Sequence, residues 1–243
     1  MRTYGAIYPV DAELESLRTI APGVMIIDDR CLCRPERHET LQGPADAILY
    51  STGRAKFADL GFGGYAMLKP CTSYSPRRLP FSLRALTKVT RGYTCAIETN
   101  RRFEYRDCDW LEMADDTNVS GTYWEMIFEA SERAETQKKE LNSLYSTLLP
   151  ANCQLPPEFH TWRFNIMVKD KTQLIREVFR AGLFASSHFA PLTGIFADGN
   201  APEANRLHRS VVNLFNDHFF DARRAKKLAS VVTRHLERVL HQQ

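Results

Sequence analysis

Three short apolar runs between residues 24 and 68 constrain this chain more than any other feature. Residues 24–27 (VMII), 47–50 (AILY) and 64–68 (GYAML) are each cut off by polar or glycine-bearing segments. Runs of this length are too brief for helices and take the form of strands buried on both faces. An amphipathic stretch precedes them. In residues 11–21 (DAELESLRTIA) Leu14, Leu17 and Ile20 fall at helical spacing, Asp11 is a candidate N-cap, and Pro22-Gly23 ends the pattern. Helix, buried strand, loop and buried strand make an α/β arrangement.

The pattern changes near residue 70 and again near 160. Residues 70–118 hold Pro70, Pro76, Pro80 and many arginines, without a sustained period. Within them Arg101-Arg102-Phe103-Glu104-Tyr105-Arg106 interleaves aromatics with cations, but nearby acids balance it, as on a solvated loop. Residues 126–149 read as one long helix, charged from Glu132 to Glu140 and closed by Pro150. Residues 162–169 (WRFNIMVK) alternate as on a half-buried strand. Asp170 is expected to cap a helix over 171–181, with Leu174, Ile175, Val178 and Phe179 on one face and Gly182 at its end. Residues 202–214 suggest another helix. Asp221 caps a last one, whose stripe is Leu228, Val231, Val232, Leu236 and Val239.

Composition excludes several classes. Lys plus Arg number 32 against 29 Asp plus Glu, a net charge of +3 that is too mild for a nucleic-acid surface. No apolar run approaches the roughly 20 residues a bilayer helix needs. The start, Met1-Arg2-Thr3-Tyr4-Gly5, lacks the pattern of a signal peptide, so a cytoplasmic location is the expectation. Of six cysteines only Cys31 and Cys33 are close, and one intervening residue is not a zinc half-site, so no metal is expected.

The chemistry concentrates in residues 24–64. One strand ends in Asp28-Asp29, a second in Ser51-Thr52-Gly53-Arg54-Ala55-Lys56, and a loop then carries Gly61, Gly63 and Gly64. Ligands of open α/β sheets bind beyond the carboxyl ends of strands, where the acids and the lysine can share one crevice. That pair suits pyridoxal phosphate, which needs a lysine for its Schiff base and a carboxylate to keep its pyridine nitrogen protonated. Hydroxyls and backbone amides would serve its phosphate. The plain alternative is a surface lysine and helix-capping aspartates. No G-x-x-x-x-G-K-[ST] is present, and the glycines do not fit G-x-G-x-x-G.

The run from Ile26-Ile27-Asp28-Asp29 through Ser51 and Lys56 to Gly61-Phe62-Gly63-Gly64 resembles the DegT-type sugar aminotransferases of the aspartate-aminotransferase fold. Arg2-Thr3-Tyr4-Gly5 is similar to that family's loop before the acidic strand, and residues 182–192 to its small-domain segment. Residues 209–236 resemble its C-terminal end. The resemblance implies an α/β fold: a partial aspartate-aminotransferase-like large domain over 1–124, then an α+β small domain over 125–243. It implies that Lys56 is the Schiff-base lysine, that Asp29 pairs with the pyridine nitrogen of pyridoxal 5'-phosphate, and that Ser51 binds phosphate. Asn118 corresponds to an asparagine reaching the partner subunit's phosphate, and His188 lies on the substrate side. It further implies a homodimer that aminates a keto-sugar nucleotide from a glutamate-like donor, as in polysaccharide precursor biosynthesis. The match departs at Leu32, where the family carries Gln or His, and it is poor over 70–117. The chain also starts where the family is well into its large domain, so a shortened chain is expected. Two alternatives stay open. One is a non-catalytic relic that binds a partner or a sugar nucleotide. The other is an amino-acid lyase using Arg163 for the α-carboxylate.

Overall fold

The computed structural model describes residues 2–37, 40–70, 72, 83–99, 101, 121–191, 193, 195 and 198–241. The chain divides into two compact units, one of residues 1–72, 120–188 and 209–243, the other of 73–119 and 189–208.

The first unit contains two three-stranded sheets. Helix α1 (Asp11–Ile20) leads into β1 (Ile27–Asp29), β2 (Ala47–Ser51) and β3 (Gly64–Leu68), which lie in the order β1-β2-β3. β1 runs parallel to β2, with Asp29 opposite Leu49, and β3 returns antiparallel, with Ser51 opposite Gly64. The second and third apolar runs are strands as expected. The first is not buried on both faces: Val24, Met25 and Ile27 are 44%, 56% and 49% exposed, while Ile26 and Asp28 are buried. Pairing with β2 begins only at Ile27, opposite Ala47. Asp11 is not an N-cap either. Val10 holds that position without a side-chain bond, and Asp11 begins the helix, where its charge meets the positive end of the helix dipole.

The second sheet has the order β4-β6-β5, antiparallel throughout, from β4 (Phe164–Met167), β5 (Ala185–Ser186) and β6 (Val211–Leu214). Residues 211–214, expected to continue a helix, form its central strand, and all four are buried. The β-branched Val211 and Val212 suit a pleated, buried position better than a helix end. β4 is likewise fully rather than half buried at Phe164, Asn165 and Ile166. α3 (Gly121–Leu148), α4 (Lys171–Arg180) and α6 (Ala222–His241) supply the rest of this core, including Leu141, Tyr145, Leu174, Val178, Leu228 and Val232. The helix caps match expectation. Gln173 N–H donates to Asp170 Oδ1 at 3.0 Å and Arg224 N–H to Asp221 Oδ1 at 2.6 Å. Gly182 follows α4 at φ +69°, a left-handed conformation open to glycine. Phe179 departs from the inner face and is 50% exposed.

The second unit holds α2 (Leu83–Thr99) and most of α5 (Pro202–Ser210). α2 lies in the stretch where no period is evident. Leu86, Val89, Tyr93 and Ile97 do recur at helical spacing. Gly92 and the threonines Thr87, Thr90 and Thr94, poor helix formers, obscure it. No described helix is long and apolar enough to cross a membrane.

The core contacts set an expectation. Leu228→Ala, at a side chain with no exposure, lowers stability by about 2–5 kcal/mol. Asp170→Ala, which removes only a cap, costs about 1 kcal/mol. Urea unfolding of both variants measures the difference.

Candidate functional site

Lys56 lies on the connection between β2 and β3, which the chain ties down closely. Thr52 N–H donates to the Gly63 carbonyl at 3.2 Å and Leu60 N–H to the Thr52 carbonyl at 2.9 Å. The Asp59 carboxylate accepts from Ala55 N–H at 2.9 Å and Gly61 N–H at 3.0 Å. Just before the lysine, Ala55 sits at φ +60°, a conformation that costs a non-glycine residue about 1–3 kcal/mol and persists only where surroundings enforce it. The enforcement comes from Asp59 on the Ala55 N–H and from Trp162, whose indole N–H donates to the Ala55 carbonyl at 2.7 Å. Gly63 is needed beside it: at φ +78° a Cβ would collide with Tyr123 Oη and lie 3.2 Å from Thr52 Oγ1.

Asp29 and Lys56 both act on Cys31, and Lys56 also acts on His188. The Cys31 thiol is pushed up to about 12, first by burial and then by the Asp29 carboxylate it hydrogen-bonds, while the charge of Lys56 pulls the other way. Cys31 is therefore within electrostatic reach of both predicted residues. Asp29 Oδ1 also accepts Cys31 N–H at 3.0 Å. His188 packs edge-on against Trp162 at 5.1 Å and donates its backbone N–H to Asn213 Oδ1 at 3.1 Å. Desolvation, then the charges of Arg163 and Lys56, hold its imidazole below the usual range. Ser51 is half-buried, and its Oγ accepts Gly53 N–H at 3.4 Å. Leu32 is buried, 6% exposed. Asn118 lies outside the described residues.

The neighbouring acid has a different task. Asp28 takes a two-pronged bond from Arg2, at 2.9 Å and 3.0 Å, and a third from Arg30 at 2.8 Å. Burial pushes its carboxyl up, but the two guanidinium groups outweigh this and leave it below the ordinary carboxylate range. These bonds anchor the N-terminal segment to β1.

A cavity of about 360 Å³ is lined by Lys56, Phe57 and Asp59, by α3 from Ala130 to Lys138, and by Asp217 and His218. Lys138 is 4% exposed. Its Nζ donates to the Trp162 carbonyl at 2.9 Å and to Asn216 Oδ1 at 3.0 Å, and lies 5.5 Å from the centre of the Phe57 ring. Burial, then the charge of Arg163, brings its ammonium down to about 7. Arg163 does not offer a free guanidinium for a substrate carboxylate: it is 1% exposed, 2.8 Å from Asp217 Oδ2, and stacked over Phe215 at 4.1 Å. Trp162, Lys138 and Asp217 escaped the sequence reading. One signal was available. Along α3 the buried residues run Ile127, Ala130, Ser131, Lys138, Leu141 and Tyr145, so Lys138 occupies a stripe position otherwise kept from charge.

No family model matches the sequence, and no curated protein matches it. Solved structures do match in fold. A DegT DnrJ EryC1 StrS aminotransferase from Brucella abortus is 13% identical with a TM-score of 0.58, over 96% of this chain and 62% of its own. A putative sugar aminotransferase from Streptococcus pneumoniae, in its PMP form, is 13% identical at 0.60, over 97% and 68%. DesI, solved in the presence of its TDP-sugar product, is 12% identical at 0.60, over 98% and 63%. The chain thus has the aspartate-aminotransferase-like fold of these sugar aminotransferases and spans about two thirds of their length.

The Asp28 cluster carries a pH signature. Because its folded pKa lies below the ordinary value of about 3.9, its stabilisation is complete above roughly pH 4 and is lost as pH falls through the folded value. Asp28→Asn leaves buried Arg2 without its carboxylate and costs about 3–5 kcal/mol at neutral pH. Urea midpoints between pH 6 and 2 then fall less steeply for the variant than for the unaltered chain.

Proposed function

We propose that this chain carries the lysine-bearing part of a pyridoxal-phosphate-dependent aminotransferase site for a keto-sugar nucleotide. The observation that carries the reading is the state of Lys56. Its amine makes no hydrogen bond or ion pair among the described residues, although its loop is held by Asp59 and Trp162. An unpartnered amine on a fixed loop, within reach of Asp29 through Cys31 and of His188, fits a cofactor that needs an amine and a carboxylate. When bound, that cofactor supplies an electron sink for carbanion chemistry. Lys56 would hold it covalently and later move a proton at its Nζ. Asp29 would keep a proton on the pyridine nitrogen, Ser51 Oγ would meet phosphate, and His188 would face substrate.

The sugar-nucleotide substrate and glutamate-like donor rest on the fold likeness and the resemblance in residues 26–64. In this reading residues 1–124 belong to the cofactor domain and 125–243 to the small domain, Asn118 serves a partner subunit, and the active form is a homodimer. A second reading, a non-catalytic binding protein of the same fold, draws support from Leu32, a buried apolar side chain where the resemblance calls for Gln or His.

The test is direct. Pyridoxal 5'-phosphate added to the chain is expected to give a visible absorbance band, and borohydride is expected to fix the cofactor to Lys56. Lys56→Ala abolishes both, and Asp29→Asn weakens the band at least tenfold at limiting cofactor. No band and no label on Lys56 would leave the non-catalytic reading standing.

A further inference from the structure

The cavity beside the Lys56 loop contains an imbalance of charge that neither the fold nor the proposed reaction explains. Both of its carboxylates already have partners within the protein. Asp59 accepts two backbone N–H groups. Asp217 accepts Phe219 N–H at 3.1 Å through Oδ1 and faces Arg163 Nη1 at 2.8 Å through Oδ2. Its cations are not. Lys56 and Arg133 make no ion pair among the described residues, and the two oxygen partners of Lys138 are a carbonyl and an amide. Arg163 stands behind the wall with its Nε buried and without a hydrogen bond. Two cations, Lys56 and Arg133, and the buried Lys138 amine therefore face a space of about 360 Å³ whose two carboxylates are held by backbone N–H groups and by Arg163. Basic groups gathered along a cleft focus a positive potential that attracts an anion.

We propose that this cavity is an oxyanion site, taking a carboxylate or phosphate group between Lys56 and Arg133 with Lys138 at its floor. It shares Lys56 with the reading above but does not depend on the cofactor. Lys138 gives the site a signature. Its ammonium is held down to about 7, by burial and then by Arg163, with Asp217 opposing. An anion brought beside it favours the charged form, so binding at pH 7.5 takes up a proton. The other groups facing Lys138 are Lys56 and Asp59 on the loop, Arg133 on its own helix, and His218 beyond Asp217.

The experiment is calorimetric titration of the full chain, without added cofactor, with sodium phosphate and separately with glutarate. Both are run at pH 7.5 in two buffers of different ionisation heat. The expected result is one site for at least one of the two anions, with net proton uptake. The tighter arm distinguishes phosphate from carboxylate. Lys138→Gln weakens binding about tenfold and removes the proton uptake, and Arg133→Ala, at an exposed position, weakens it about threefold; such charge-dependent losses also deepen at low salt. Absence of binding in both arms overturns the proposal, and so does binding without proton uptake in the unaltered chain. Anion binding without a cofactor band on Lys56 would retain this site and remove the aminotransferase reading, and the reverse result would do the opposite.

Discussion

Trp162 makes the contact on which the rest of the candidate site depends. Its indole N–H holds the carbonyl of Ala55, its own carbonyl receives the Lys138 amine, its backbone N–H donates to Tyr4, and its ring meets His188. One side chain thus fixes the lysine loop of the first sheet to the start of β4 in the second. The left-handed Ala55 shows what that bond does, since an alanine at φ +60° relaxes unless both its amide and its carbonyl are held.

Around that contact the chain buries more charge than a stability argument alone would favour. Arg2 and Asp28 are 5% and 8% exposed, Arg163 and Asp217 1% and 8%. Replacing buried pairs with apolar residues is often neutral or stabilising, whereas removing one partner is costly. The Arg2–Asp28–Arg30 cluster joins the N-terminal segment to the end of β1, and the Arg163–Asp217 pair joins β4 to the segment after β6. Both sit where strands deliver side chains to the site, which is a matter of placement rather than of net stability. Lys138 differs from them in having no carboxylate partner at hydrogen-bonding distance.

Beneath the site an asparagine pair crosses the second sheet. Asn213 Nδ2 donates to Asn165 Oδ1 at 2.6 Å, and Asn213 Oδ1 receives His188 N–H. Asn165 N–H in turn donates to His160 Nδ1 at 3.1 Å, in a ring that burial brings down to about 4 and so keeps neutral. Polar groups satisfied in this way inside a core specify register, because a slip by one residue would leave each unpaired. His188 is tied through its backbone to that ladder, while its ring packs against Trp162.

The sequence by itself determined the elements built from near neighbours. β2, β3, α4 and α6 follow from short apolar runs, a 3.6-residue stripe and caps at Asp170 and Asp221, all of which act within a few residues. The same local signals placed Lys56 on a connection between two strands. Tertiary structure decided the rest. Residues 211–214 became a strand because the centre of a sheet was available to them, and Val24 and Met25 stayed exposed because they precede the paired length of β1. Lys138 falls on the buried stripe of α3, but only the packing of that helix, with Phe57 and Asn216 against its amine, takes the charge out of water. The bond from Trp162 to Ala55 spans 107 positions. No periodicity encodes a contact of that separation, because it depends on two folded surfaces meeting rather than on the chain's local preferences.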